Sequence, residues 1–176
     1  MEEMESPVEH LHEELHHEAE HGKERWLKWS AILSAVLAVL AAISGMQAGH
    51  EINEAMIQQI KASDSWSYYQ AKGIKSMMLE VTAAPSADTA QRIEKYKAEQ
   101  EDIKKDAEAK AEISELHLKG HEVLARSVTL FQIAIVLTAI AVLTRRKRFL
   151  LVSAGFGVAG CVFLAQYFML AGVSLQ

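Results

Sequence analysis

"SAILSAVLAVLAAISGMQAG", Ser30 to Gly49, contains no charged residue. An α-helix rises 1.5 Å per residue, so about 20 apolar residues cross the ~30 Å hydrocarbon core of a bilayer. Two more stretches are equally free of charge, Ser127 to Leu143 and Phe149 to Gln176. The chain of 176 residues is 50% apolar and 23% charged. Those averages suit a soluble domain; their segregation along the chain does not. The expected fold is an all-α membrane protein with three transmembrane helices, placed at 23–49, 123–144 and 149–172.

The first apolar stretch is longer than the ~7–15 residues typical of a cleaved signal. An acidic leader precedes it, so it is expected to stay as an anchor. The single cysteine, Cys161, lies in the third stretch and reads as a small packing residue.

Lys and Arg flanking the spans set orientation. Lys23, Arg25 and Lys28 precede span one, and "TRRKR" (Thr144 to Arg148) joins spans two and three. In a three-span chain these flanks share one side, which puts the N-terminus and residues 145–148 in the cytoplasm. Residues 50–122 and the C-terminus then lie outside. Trp26 and Trp29 stand where interfacial aromatics belong. The basic loop also suits contact with anionic lipid. Nucleic acid is not an expected partner, because residues 1–28 carry nine Asp/Glu against three Lys/Arg.

Residues 50–122 are rich in helix-forming Ala, Glu, Lys and Gln. Their one proline, Pro85 in "TAAPSADT", falls near the midpoint. Proline cannot continue a helix interior, and the residue before it avoids helical angles. Ser86 or Asp88 can cap the next helix. The simplest construction is a long antiparallel, coiled-coil-like helical hairpin turning at 83–86. Each arm has roughly 35 residues, about 50 Å of helix. A 3-4 spacing puts Ile93, Tyr96, Gln100, Ile103, Ala107, Lys110, Ser114, His117, His121 and Leu124 on the returning seam. The matching outgoing face reads as Ile57, Ile60, Asp64, Ser67, Ala71, Ile74, Met78 and Val81. Trp66, Tyr68 and Tyr69 interrupt the outgoing arm and are expected at a contact between copies.

Inside the spans, Gly45 and Gly49 form a GxxxG, and Gly157 sits between Ser153 and Cys161 at four-residue spacing. Small faces let membrane helices approach closely. Each span also holds one glutamine: Gln47, Gln132 and Gln166. Two readings stand, interhelical hydrogen bonds and a polar ring around a pore.

Histidines cluster twice. "EHLHEELHHEAEH" (Glu9 to His21) follows "SPVE", a capping box with Pro7 at the first helical position. It reads as an amphipathic cytoplasmic helix, residues 1–22, ending at Gly22. His12 and His16, and His17 and His21, are four apart, a spacing that serves a metal or a pH sensor. The second cluster is distributed. "GHEINE" gives His50 and Glu54, and "HLKGH" gives His117 and His121. Folding at Pro85 is expected to bring 50 beside 121 and 54 beside 117. Three imidazoles and a carboxylate suit a divalent metal such as zinc.

"ERWLKWSAILSAVLAVLAAISGMQAGHEINEAM" followed by "QIKASDSWSYYQAKGIK" resembles a bacterial membrane family catalogued as domain of unknown function 4337. The likeness runs from about Glu24 into the third span. It implies a bacterial inner-membrane protein of this three-span layout, and it brings no activity and no catalytic residues. No phosphate loop, Rossmann fingerprint or nucleophile elbow is present, so no enzyme is expected. The leading expectation is a homo-oligomeric scaffold with a helical stalk. The alternative is an oligomeric ion channel or transport accessory, with a metal-binding or pH-sensing site at the hairpin base.

Overall fold

The computed structural model describes the backbone of residues 7–84 and 86–173, and the side chains of residues 25–84 and 86–170. The described chain is all helical: α1 is Pro7–Thr82, α2 is Ala87–Thr144 and α3 is Lys147–Val173. Each contains a segment long and apolar enough to cross a membrane. This pattern is that of a membrane protein.

The expected break at Gly22 does not occur, because α1 runs through it. An interior glycine costs a helix only about 1 kcal/mol against alanine. No proline follows to enforce a stop, and neighbours such as Glu20 and Lys23 favour helix. The capping reading of Ser6 lies outside the described residues, as do the side chains of His12, His16, His17 and His21.

The break near the chain midpoint falls where proline chemistry requires one. α1 ends at Thr82 and α2 begins at Ala87. Ser86 is the cap: its Oγ accepts the Thr89 amide at 3.1 Å. Thr89 Oγ1 lies 2.9 Å from the same Ser86 oxygen and reaches back to the Ala84 carbonyl at 3.3 Å. Pro85 itself lies outside the described residues.

The second junction is tighter. The Arg146 amide donates to the Ala141 carbonyl at 3.2 Å, and the Arg145 amide to Val142 at 3.3 Å. Those are the two bonds of a Schellman motif, which puts its C′ residue in the left-handed region. That residue is Arg145, with φ of 52°, where glycine is usual. A side chain in that region carries a backbone cost that glycine does not.

The chain divides into two compact units. One comprises residues 1–45 and 125–168, the other residues 46–124 and 169–176. In the first, Leu37, Phe131 and Ala134 form a buried core, with Leu33, Leu40, Ile135, Phe156 and Leu164 packed around it. Hydroxyls supplement this packing. Ser127 Oγ donates to the Gly160 carbonyl at 2.9 Å, and Ser153 Oγ to Ala134 at 2.7 Å. Thr138 Oγ1 lies 2.7 Å from the Ser153 hydroxyl.

The glycines of closest approach are not those of the GxxxG. A Cβ on Gly49 would meet nothing within 4 Å, and one on Gly45 would only touch Val128 at 4.0 Å. A Cβ on Gly157 would stand 3.0 Å from Leu37, and one on Gly160 would stand 2.7 Å from the Phe131 ring. GxxxG marks a face that permits approach; which glycine is used depends on the partner's bulk.

In the second unit, contacts between α1 and α2 follow one order. Ala48 meets His121, Glu51 meets His117 and Ala55 meets Ser114. Further along, Ser65 meets Asp106, Tyr69 meets Gln100, Lys72 meets Glu99 and Glu80 meets Lys97. As the α1 number rises, the α2 number falls.

All ten residues expected on the α2 seam are buried or half-buried. The α1 expectation was wrong. Ile57, Ile60, Asp64, Ser67, Ala71, Ile74, Met78 and Val81 are all exposed. The α1 seam is instead Ala48, Glu51, Ala55, Gln58, Ala62, Ser65, Tyr69, Lys72, Ser76 and Leu79. Its small and polar residues let the helices come close and bond through their backbones. The large apolar residues lie on the other face.

Gly160→Ala is expected to destabilise the fold by about 1–3 kcal/mol, since the fully buried Phe131 ring cannot move aside. Gly49→Ala should be neutral or stabilising by up to about 1 kcal/mol, because only helix propensity changes. Unfolding in detergent micelles, followed by circular dichroism, measures both.

Candidate functional site: the polar seam at His117 and His121

The site begins with alanines. Ala48, Ala55 and Ala62 recur every seven residues on α1 and are nearly fully buried. Opposite them, Ala107, Ser114 and His121 recur at the same interval on α2. With only a methyl group between the helices, side chains on α2 reach main-chain carbonyls on α1. Ser114 Oγ donates to the Ala55 carbonyl at 2.8 Å. The His121 Nδ1–H donates to the Ala48 carbonyl at 2.8 Å. A helix carbonyl already bonded within its own ladder keeps a second lone pair for such a donor.

His117, one turn before His121, meets a side chain instead. Its Nδ1 lies 2.7 Å from Glu51 Oε2. Glu51 is only 8% exposed, and a buried carboxyl needs a partner of this kind. His117 is about one-third exposed.

The expected four-residue cluster is not assembled. Residue 51 stands beside 117 where 54 was expected, and 48 beside 121 where 50 was expected. The register differs by two to three residues. At 100° per residue, a two-residue shift turns a helix by about 200°, which carries His50 off the seam. His50 is exposed and Glu54 half-buried. Among the described residues, no group of three or more His, Cys, Asp or Glu side chains is gathered as a metal would require. Glu51 was missed in the sequence. The signal that finds it is the alanine heptad, since a residue three after Ala48 must share its face.

Farther along the seam, Lys72 binds Glu99. Its ammonium also sits over the rings of Tyr68 and Tyr96, 5.3 and 5.1 Å from their centroids. The hydrogen bond to Glu99 holds Lys72 above its usual pKa, and the bond from Lys72 holds Glu99 below its own. Asp106 is also depressed, first by Lys110 and then by Ser65. Lys97 is raised by its hydrogen bond to Glu80.

The aromatic cluster divides between two faces. Trp66 and Tyr69 are half-buried and meet edge to face, with centroids 5.5 Å apart. Tyr68 is exposed. Of the three glutamines, Gln47 is half-buried, while Gln132 and Gln166 are exposed. Gly157 is packed against Leu37.

The sequence profile of a domain of unknown function, DUF4337, matches residues 26–170. The chain belongs to that family. Comparison with curated proteins and with solved structures gave no match.

The carboxylates give a signed pH dependence. A carboxylate with a depressed folded pKa stabilises above its unfolded value and loses that contribution as pH falls through the folded one. For Glu99 and Asp106, loss is therefore expected below about pH 4, under the ordinary values of 4.5 and 3.8. Lys72 and Lys97 act in reverse, losing their contribution as pH rises above 10.5. Glu99→Gln should flatten the acid limb of stability against pH. Thermal melts between pH 7 and pH 2 test this.

Proposed function

We propose that this protein is a homo-oligomeric membrane scaffold without catalytic activity. In this reading it crosses a bacterial inner membrane three times, with its N-terminus and residues 145–148 in the cytoplasm. Residues 50–122 form an antiparallel helical hairpin on the other side, and that hairpin is the contact surface between copies.

The observation that carries the reading is the outer face of α1. Ile57, Ile60, Ile74, Met78 and Val81 are between 43% and 79% exposed. Together with Asp64, Ser67 and Ala71 they keep an unbroken alternation of three and four residues over 25 positions. That is the heptad pattern of a helix-packing seam. α1 thus carries two such seams about 200° apart. One is filled by α2, and the other has no partner among the described residues. Exposed stripes of this length mark association sites. The same period on both faces suits another α-helix as occupant, because both seams then share one supercoil hand.

Asp64 and Ser67 form a polar layer between the apolar halves of the stripe. A polar residue at one such layer fixes register at some cost in stability. Lys61 and Lys75 flank the stripe and supply positive charge beside the Asp64 layer. Anchoring in one membrane raises the effective concentration of the copies.

The second reading, a channel or transport accessory, draws on Gln132 and Gln166. Both amides are exposed within apolar spans, where a polar group needs a partner or water. Reproducible single-channel currents from reconstituted protein, absent from empty bilayers, would favour that reading over a scaffold.

Ile74→Glu combined with Met78→Glu is expected to reduce the protein to a monomer in mild detergent without loss of helix content. Sedimentation equilibrium and circular dichroism read the two quantities. An unchanged mass would overturn the scaffold reading.

A further inference from the structure

From the two seam histidines, we infer a divalent transition-metal site whose ligands are the Nε2 atoms of His117 and His121, with Glu51 and the Ala48 carbonyl as the groups that orient them. The inference stands apart from the scaffold reading and does not depend on copy number.

The tautomers decide it. A main-chain carbonyl can only accept, so His121 must donate from Nδ1 to Ala48. When Glu51 is ionised its carboxylate can only accept, and His117 then donates to it from Nδ1. In the neutral ring, each histidine then holds its lone pair on Nε2. Neither ring makes a second hydrogen bond among the described residues. Both side chains remain partly exposed, which leaves an ion a route to them.

Metal-bound histidines nearly always give their other N–H to a carboxylate or a backbone carbonyl. Here one ring has each kind of partner. The bonds fix the ring planes, and the carboxylate raises the basicity of the His117 nitrogen it faces across the ring. His117 and His121 are one helical turn apart, so their side chains leave the same face about 5–6 Å from one another at Cβ. Two histidines at this interval on a helix are a recurrent half of zinc sites. Imidazole ligands select zinc, copper or nickel over magnesium or calcium. With two protein ligands, water fills the remaining positions and the site stays open.

This geometry differs from the cluster expected from the sequence. His50 and Glu54 take no part in it. Glu51 replaces them, and it acts through His117 instead of touching the metal.

Zinc titration of the purified full-length protein by calorimetry tests the site. His10, His12, His16, His17 and His21 are first replaced by alanine to remove the other histidine cluster. The parent is expected to bind zinc, and His117→Ala with His121→Ala to lose that binding. Glu51→Gln keeps an oxygen that can accept from Nδ1 but removes the charge, and should weaken zinc binding about 10–100-fold. Circular dichroism confirms that each variant retains its helix content. Should the double variant unfold, the Glu51→Gln titration decides alone. Zinc affinity unchanged in either folded variant, or no zinc binding by the parent, overturns the inference.

Discussion

The approach of α1 to α2 at Ala48, Ala55 and Ala62 governs the second unit. Larger side chains at a contact hold helix axes farther apart within the usual ~8–10 Å range, and they stand between a donor on one helix and the main chain of the other. Methyl groups every seven residues remove the obstacle, and the bonds from Ser114 and His121 to α1 carbonyls follow. Such bonds also fix register. A one-residue slip would turn the donors by about 100° away from their acceptors. The same constraint has a second consequence. A seam built from small and polar residues has no room for Ile57, Ile60, Ile74 or Met78, so they lie on the opposite face. The inner bonds and the outer stripe are two results of one sequence choice.

The apolar unit uses the same device in different chemistry. Between helices in lipid, burial of apolar surface supplies no drive, because lipid tails are as apolar as leucine. Close packing and hydroxyl bonds have to supply it. Gly157 and Gly160 let Leu37 and Phe131 reach the α3 backbone. Ser127 and Ser153 donate to the Gly160 and Ala134 carbonyls. Both units therefore join helices by pairing a small residue on one element with a side-chain donor on the other.

This logic explains what the sequence made legible. Proline chemistry is local, so the helix ends at Thr82 and Ala87 fall within a residue of expectation. The α2 seam was readable because its period is strict and its outer face is charged. The α1 face departs from expectation because the rule that apolar residues are the buried ones holds for seams driven by area. Where backbone bonding sets the contact, alanine and serine are the inward residues. The metal constellation failed for a related reason. Symmetry about Pro85 gives a register good to two or three residues, yet one residue already rotates a side chain by 100°. His117 and His121 could be placed on the seam; their partner Glu51 could not.

Among the described residues, a helix with two seams is bound to its own chain on one side. The inner seam buries alanines and serines, each contributing little apolar area, and burial stabilises at roughly 25 cal/mol per Å². Arms of this length gain most of their stability from packing, not from helix propensity. The α1 and α2 arms thus rest on a polar, register-specific contact of modest strength. The larger apolar side chains, which would contribute most, remain on the surface. Covering that stripe with a second copy, as the scaffold reading has it, would supply the missing burial, while the register of His117 and His121 is already set within the chain by their bonds to Glu51 and Ala48.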